Sequence, residues 1–332
     1  MSWFGDLLGD VLHQEAVDYV VTGALSVDGT MPTFTALEAD TTYLSIRVKS
    51  LRLPFTRKGV NKLYGVVHSF ADIPGGPGEA VRFATATTPA ELAGVDPKNL
   101  SKVVTVDKAV VGPTPWWGGD LKLQIGLFSV VEQNLAAPFL STLTALSNQV
   151  GVSFAATAKP FVDVISMGVA ALSRDVGSVK LEIGLDRGYD PPVPGHYALI
   201  AAPAGALRDA KFDLDSSDGK LKVDGVHYTE KPYIVFTIEA VTQQPRWGEI
   251  AELRAAYQKI REAKRLNDQA KAKDALTSFR LLALSSTDLI FSDAQALVKK
   301  AEDDLKTFFG SAKISGFAER EPADFEALRL YG

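Results

Sequence analysis

The sequence predicts an α+β fold: an antiparallel β-sandwich with an inserted α-hairpin, followed by a C-terminal helical element. Three observations lead there. Runs alternating apolar and polar residues succeed one another up to about residue 240, with few helical signals between them. Two near copies of one hexapeptide, Lys122-Leu123-Gln124-Ile125-Gly126-Leu127 and Lys180-Leu181-Glu182-Ile183-Gly184-Leu185, bracket a stretch of helical period. From Pro245 onward the helical period takes over. At 332 residues the chain exceeds the usual size of one core, so a division into residues 1–240 and 241–332 is expected.

Taken in order, residues 3–12 place Trp3, Phe4, Leu7, Leu8, Val11 and Leu12 on one stripe, which reads as a short amphipathic helix. The stripe serves packing on its own domain, a partner protein or a membrane. Its charged residues, Asp6 and Asp10, lack the cations of helices that bind anionic lipid. Strands follow at Tyr43 to Lys49, Leu63 to Phe70, Val81 to Thr85 and, more loosely, Val103 to Val106. The Gly/Pro cluster Ile73-Pro74-Gly75-Gly76-Pro77-Gly78 reads as a loop and lacks the Lys-Ser/Thr ending of a phosphate loop.

Trp116 and Trp117 lie between Pro115 and Gly118-Gly119. Adjacent residues of an extended chain face opposite ways, so one indole is expected inward and the other exposed or at a partner. Between the hexapeptides no residue from Gln133 to Ala158 is charged. Leu135, Phe139, Leu143, Leu146 and Val150, then Phe161, Val162, Ile165, Val169 and Leu172, give the inserted α-hairpin at about 134–173. Gln133, Asn134, Asn148 and Gln149 make the uncharged run a poor membrane span.

Beyond Leu185, His196 to Ile200 is a strand, and Lys211 to Asp215 with Lys220 to Val223 reads as a hairpin around Ser216-Ser217-Asp218-Gly219. Asp213, Asp215 and Ser217 occupy calcium-loop offsets, but the glycine falls one place late and Asp224 stands where a bidentate Glu belongs, so the hairpin is preferred. Tyr233 to Ile238 closes the sandwich. Trp247, Ile250, Leu253, Tyr257 and Ile260 mark one helix, and Ala275, Phe279 and Leu282 a second. Ser292 with Gln295 is a capping-box signal for a third, which stops at Gly310. In the tail, Phe317, Phe325, Leu328, Leu330 and Tyr331 are costly to leave in water, so it is expected to be ordered or partner-bound.

Composition bounds the function. A net charge of -5 gives no basic footprint for nucleic acid. Without a cysteine, disulfides, thiolate catalysis and Cys-ligated zinc are excluded. The N-terminus lacks the charged and apolar regions of a secretory signal, so a cytoplasmic protein is expected. His13, His68, His196 and His227 show no metal-ligand spacing, no dinucleotide or hydrolase motif is present, and no cofactor is expected.

Residues 40–130 carry the strand Leu44-Ser45-Ile46-Arg47-Val48, a loop, then Leu63-Tyr64-Gly65-Val66-Val67, with Pro115-Trp116 ahead of Asp120-Leu121-Lys122-Leu123. This stretch resembles a C2-like β-sandwich domain. The resemblance implies membrane or protein docking through the loops, often with calcium held by loop aspartates. The first loop, Phe55 to Lys62, instead carries Arg57, Lys58 and Lys62 and no carboxylate, so calcium is not expected there.

The expected function is a non-enzymatic protein-interaction, assembly or scaffold role, through a protein partner or self-association. Its contact residues are Trp116, Trp117, Trp3 and Phe4. The alternative is a peripheral membrane module or membrane-acting effector, with Arg57, Lys58 and Lys62 against anionic headgroups; an enzyme whose site is assembled from distant residues is the third reading.

Overall fold

The computed structural model describes residues 19–53, 57–58, 61–75, 80–86, 104–131, 179–203 and 205–311. The expected N-terminal helix with Trp3 and Phe4, the inserted α-hairpin and the tail beyond Ser311 lie outside the described residues. Fourteen strands are described: β1 Val20–Val21, β2 Ser26–Val27, β3 Tyr43–Arg52, β4 Arg57–Lys58, β5 Asn61–Pro74, β6 Ala80–Ala86, β7 Val104–Pro115, β8 Leu121–Val131, β9 Val179–Tyr189, β10 Gly195–Ile200, β11 Phe212–Leu214, β12 Leu221–Val223, β13 Val226–His227 and β14 Tyr233–Val241. The helices α1 Ala251–Arg265, α2 Gln269–Leu284 and α3 Phe291–Ser311 follow.

One sheet runs β1-β10-β14-β3-β7 and a second β4-β5-β8-β9, with β6 also on β5; all these pairings are antiparallel. Period-2 alternation points Leu121, Leu123, Ile125 and Leu127 of β8 inward, where each is fully buried. They meet Leu44, Ile46 and Val48 of β3 and Ile234, Phe236 and Ile238 of β14 in one core shared by both sheets. Each such side chain contributes roughly 1.5–3 kcal/mol by leaving water. The α+β sandwich read from the sequence is therefore present. A domain rich in antiparallel sheet covers the stretch that resembles a C2-like domain.

The paired hexapeptides are neighbouring strands. Their register sets Gly126 directly opposite Gly184, with Leu127 against Ile183 and Ile125 against Leu185. A third, smaller sheet, β13-β12-β11-β2, contains the expected hairpin as β11 and β12; the flanking β2 and β13 have no counterpart in the sequence reading, and the β2–β11 pairing is parallel. It encloses a second core in which Leu25, Leu214 and Leu221 pack with Ile200, Tyr233 and Val235.

The C-terminal element has its own core around Trp247, Tyr257 and Phe279, whose rings lie 5.7–6.3 Å apart. Its α1–α2 turn is set locally. Asn267 takes a left-handed conformation (φ 53°), and the Asp268 side chain accepts the Lys271 N–H at 3.0 Å as the N-cap of α2. The capping box expected at Ser292 is displaced: α3 begins at Phe291, so Ser292 lies inside the first turn. The neighbouring Asp293 is 3% exposed and is engaged with the sandwich.

Candidate functional site

Trp116 and Trp117 occupy the turn between β7 and β8. The Trp116 N–H donates to Thr42 O at 2.9 Å, and Trp116 O accepts the Asp40 N–H at 2.8 Å. That second segment is itself tied, since the Thr42 hydroxyl donates to Glu38 O at 2.8 Å and accepts the Glu38 N–H at 2.9 Å. Gly118 and Gly119 both have positive φ (85° and 87°), and a Cβ on Gly119 would stand 3.0 Å from Pro74 Cγ. This geometry sends Trp116 into the sandwich core at 2% exposure and leaves Trp117 at 38%. An indole half in water is an anchor on offer, because large rigid aromatics release the most energy when a partner dries them.

A titratable cluster lies at the hairpins of the small sheet. Ligand atoms of Asp215, Asp218 and His227 fall within 4.8 Å of one another. Asp215 accepts from Lys222 Nζ at 2.7 Å, from the Ser217 hydroxyl at 2.6 Å and from the Ser217 N–H at 3.0 Å, and lies 3.1 Å from His227 Nε2. Those bonds, Lys222 foremost, hold its pKa far below the ordinary carboxylate range, while Asp215 raises that of Lys222. Asp218 is in turn paired with Lys220. Both carboxylates are thus neutralised by lysine, and a cation would have to displace these partners. Asp213 turns away, accepting from the Ser26 hydroxyl at 2.7 Å and the Gly29 N–H at 2.8 Å. The calcium-loop offsets belong to a pinned hairpin. His227 arrives by a second tight turn at Asp224-Gly225, both with positive φ (51° and 81°), and that Asp-Gly pair was a signal available in the sequence.

A polar row crosses the first sheet, where the register aligns His196, Thr237 and Arg47. His196 Nδ1 shares a hydrogen bond with Thr237 Oγ1 at 2.7 Å, and Phe34 stands edge-on to the imidazole at 5.1 Å. Burial first, then the Lys49 charge, lowers the His196 pKa. Asp107 takes Lys49 Nζ at 2.8 Å and Arg47 Nε at 3.1 Å. Burial works to raise the Asp107 pKa, but these two cations outweigh it and lower it. The described residues assemble no nucleophile with an oriented base, and Thr237 is 1% exposed.

The three cations of the expected first loop lie on a short ladder instead. Arg57 of β4 pairs with Lys62 of β5, and Lys58 with Asn61. No helix among the described residues is long and apolar enough to cross a membrane. No family model, curated protein or solved structure matches the chain.

Proposed function

We propose that the chain is a non-enzymatic protein-interaction or assembly protein and that Trp117 is its principal contact with a protein partner, a second copy included. The observation that carries this reading is the half-exposed Trp117 indole on a turn fastened from both sides. Such an anchor loses little conformational entropy on binding. Trp116 serves from beneath as the buried brace, and Trp3 and Phe4 join the proposed surface on their sequence pattern. Residues 1–240 and 241–332 are read as two units joined by a buried polar contact.

Light scattering across concentration, with pull-down from the native host, tests the reading. Trp117→Ala should abolish self-association or lose a partner that the unaltered chain retains, without changing the thermal unfolding profile. A strict monomer with no Trp117-dependent partner overturns it.

The second reading, peripheral docking of a C2-like module to an anionic membrane, rests on the cations Arg57, Lys58 and Lys62 that the sequence gathers within six positions without a carboxylate. Flotation with vesicles rich in anionic lipid separates the two. Binding lost on combined Arg57→Glu and Lys58→Glu reversal would carry the membrane reading, and a protein left in the unbound fraction removes it.

A further inference from the structure

A strand at the border of a sheet carries backbone donors and acceptors along one side that another strand can take. In the first sheet the borders are blunted. β1 has two residues, and β7 changes register three times against β3, with Asp107 in a left-handed conformation (φ 38°). β9 is different: it has 11 residues, and among the described residues it is paired with β8 alone. Arg187 and Gly188 are exposed, and a Cβ on Gly188 would meet nothing within 4 Å.

The chain already contains a strand that fits this border. β8 pairs with β9 through the hexapeptide that β9 itself repeats, with Gly126 opposite Gly184, Ile125 opposite Leu185 and Leu127 opposite Ile183. A second copy of β9, laid antiparallel on the open side about Gly184, would reproduce that register, with Gly184 opposite Gly184 and Ile183 opposite Leu185. Lys180 would stand opposite Gly188 as Lys122 does, and Leu181 opposite Arg187 as Leu123 does. One position differs. Gln124 stands opposite Asp186 in the β8–β9 ladder, whereas the second copy would set Glu182 opposite Asp186, twice by symmetry. Like charges directly opposite each other are destabilising.

The ladder departs from regular pairing at the same residue. Leu127 is opposite Ile183 but Phe128 is opposite Leu181, so Glu182 is the extra residue of a bulge in β9. Charge and bulges are both means by which sheet borders resist a further strand, and here they coincide.

We propose that Glu182 guards the β9 border: its charge, placed at the bulge, keeps a second copy of the chain from adding to the sheet in the register that β8 already uses. The guard is independent of the contact assigned to Trp117.

The test uses Glu182→Gln and Glu182→Lys in the full chain carrying Trp117→Ala, which takes the Trp117 contact out of the comparison. In sedimentation velocity across concentration at neutral pH, Glu182→Gln should associate at least about tenfold more tightly than the Trp117→Ala parent, and Glu182→Lys, which sets a cation opposite Asp186, more tightly still. Glu182→Asp keeps the charge and should match the parent. Amide hydrogen exchange should slow across Val179–Tyr189 in the associated form. The proposal is overturned if neither Glu182→Gln nor Glu182→Lys associates more tightly than the parent, if Glu182→Asp associates as Glu182→Gln does, or if association adds no protection in β9. Circular dichroism verifies that substitution at this half-buried position keeps the fold.

Discussion

The hydroxyl of Tyr43, the first residue of β3, donates to Asp293 Oδ2 in α3 at 2.9 Å across 250 positions of sequence. The same hydroxyl accepts the Ile290 N–H at 2.9 Å, and the same carboxylate oxygen accepts the Gln244 N–H at 2.8 Å. Gln244 also donates to Pro113 O at 3.0 Å, and Arg246 to Gly112 O at 3.1 Å. The helical element is thus joined to the sandwich by directional bonds at a buried polar node. Tyr43→Phe keeps the ring but removes the donor to Asp293 and the acceptor for Ile290. It should cost about 1–3 kcal/mol in urea unfolding. A double-mutant cycle with Asp293→Asn should return a coupling well above 0.5 kcal/mol, the margin roughly expected of independent sites.

Beside that node the backbone leaves no room for a side chain. Gly112 has φ 65°, and a Cβ there would lie 2.3 Å from Leu44 O and 2.5 Å from Thr114 N. Gly112→Ala should therefore destabilise by about 3 kcal/mol or more, since backbone on both sides must move. Gly29 has φ 77° with nothing near the added Cβ, and Gly29→Ala should cost only the left-handed conformation, about 1 kcal/mol. Thermal unfolding of the two variants side by side checks the contrast.

Lys264 is 6% exposed, bonds Asp304 at 2.7 Å and lies 5.0 Å from the centroid of the Phe308 ring. Removing either partner is not equivalent. Asp304→Ala strands a buried ammonium and should cost about 2 kcal/mol, the lower side for a buried pair because the Asp304 side chain is a quarter exposed. Lys264→Met keeps the apolar stem against Phe308 and leaves a carboxylate that reaches water, so its loss should be smaller. Denaturant midpoints at constant slope decide it.

The lowered pKa of His196 fixes the sign of a pH effect. An imidazole whose folded pKa lies below its unfolded value of about 6.5 binds fewer protons in the folded state. Its contribution is complete above pH of about 6.5 and is lost as pH falls through the folded pKa. Unfolding free energy should fall as the pH is lowered below about 6.5, and His196→Asn should flatten that part of the profile.

Much of the sandwich was legible because it rests on local period. The alternation runs cleanly from Leu44 to Val48 in β3 and from Leu121 to Leu127 in β8, the hexapeptide copies fall on the neighbouring strands β8 and β9, and adjacent tryptophans divide between core and surface as extended-chain geometry requires. What escaped the sequence reading depends on separation along the chain. Ser26 pairs with Asp213 in a parallel bridge that no local pattern announces. Tyr43 and Asp293 stand 250 positions apart, and no local pattern links the first residue of a strand to a residue in the first turn of a distant helix. The capping-box pattern at Ser292 lost its place because the buried contacts of Asp293 decide where α3 begins. The cations from Arg57 to Lys62 have the composition of a loop, and only the register of Arg57 with Lys62 and Lys58 with Asn61 makes strands of them.

Val130 and Val179 stand opposite each other in the β8–β9 ladder, and β8 is paired on its other side as far as Val131 with Leu63. Residues 132–178 consequently leave and re-enter the sheet through a single doorway whose two posts are already joined. Because the two strands already meet there, the β8–β9 pairing is one that a two-residue Asn-Gly turn also closes.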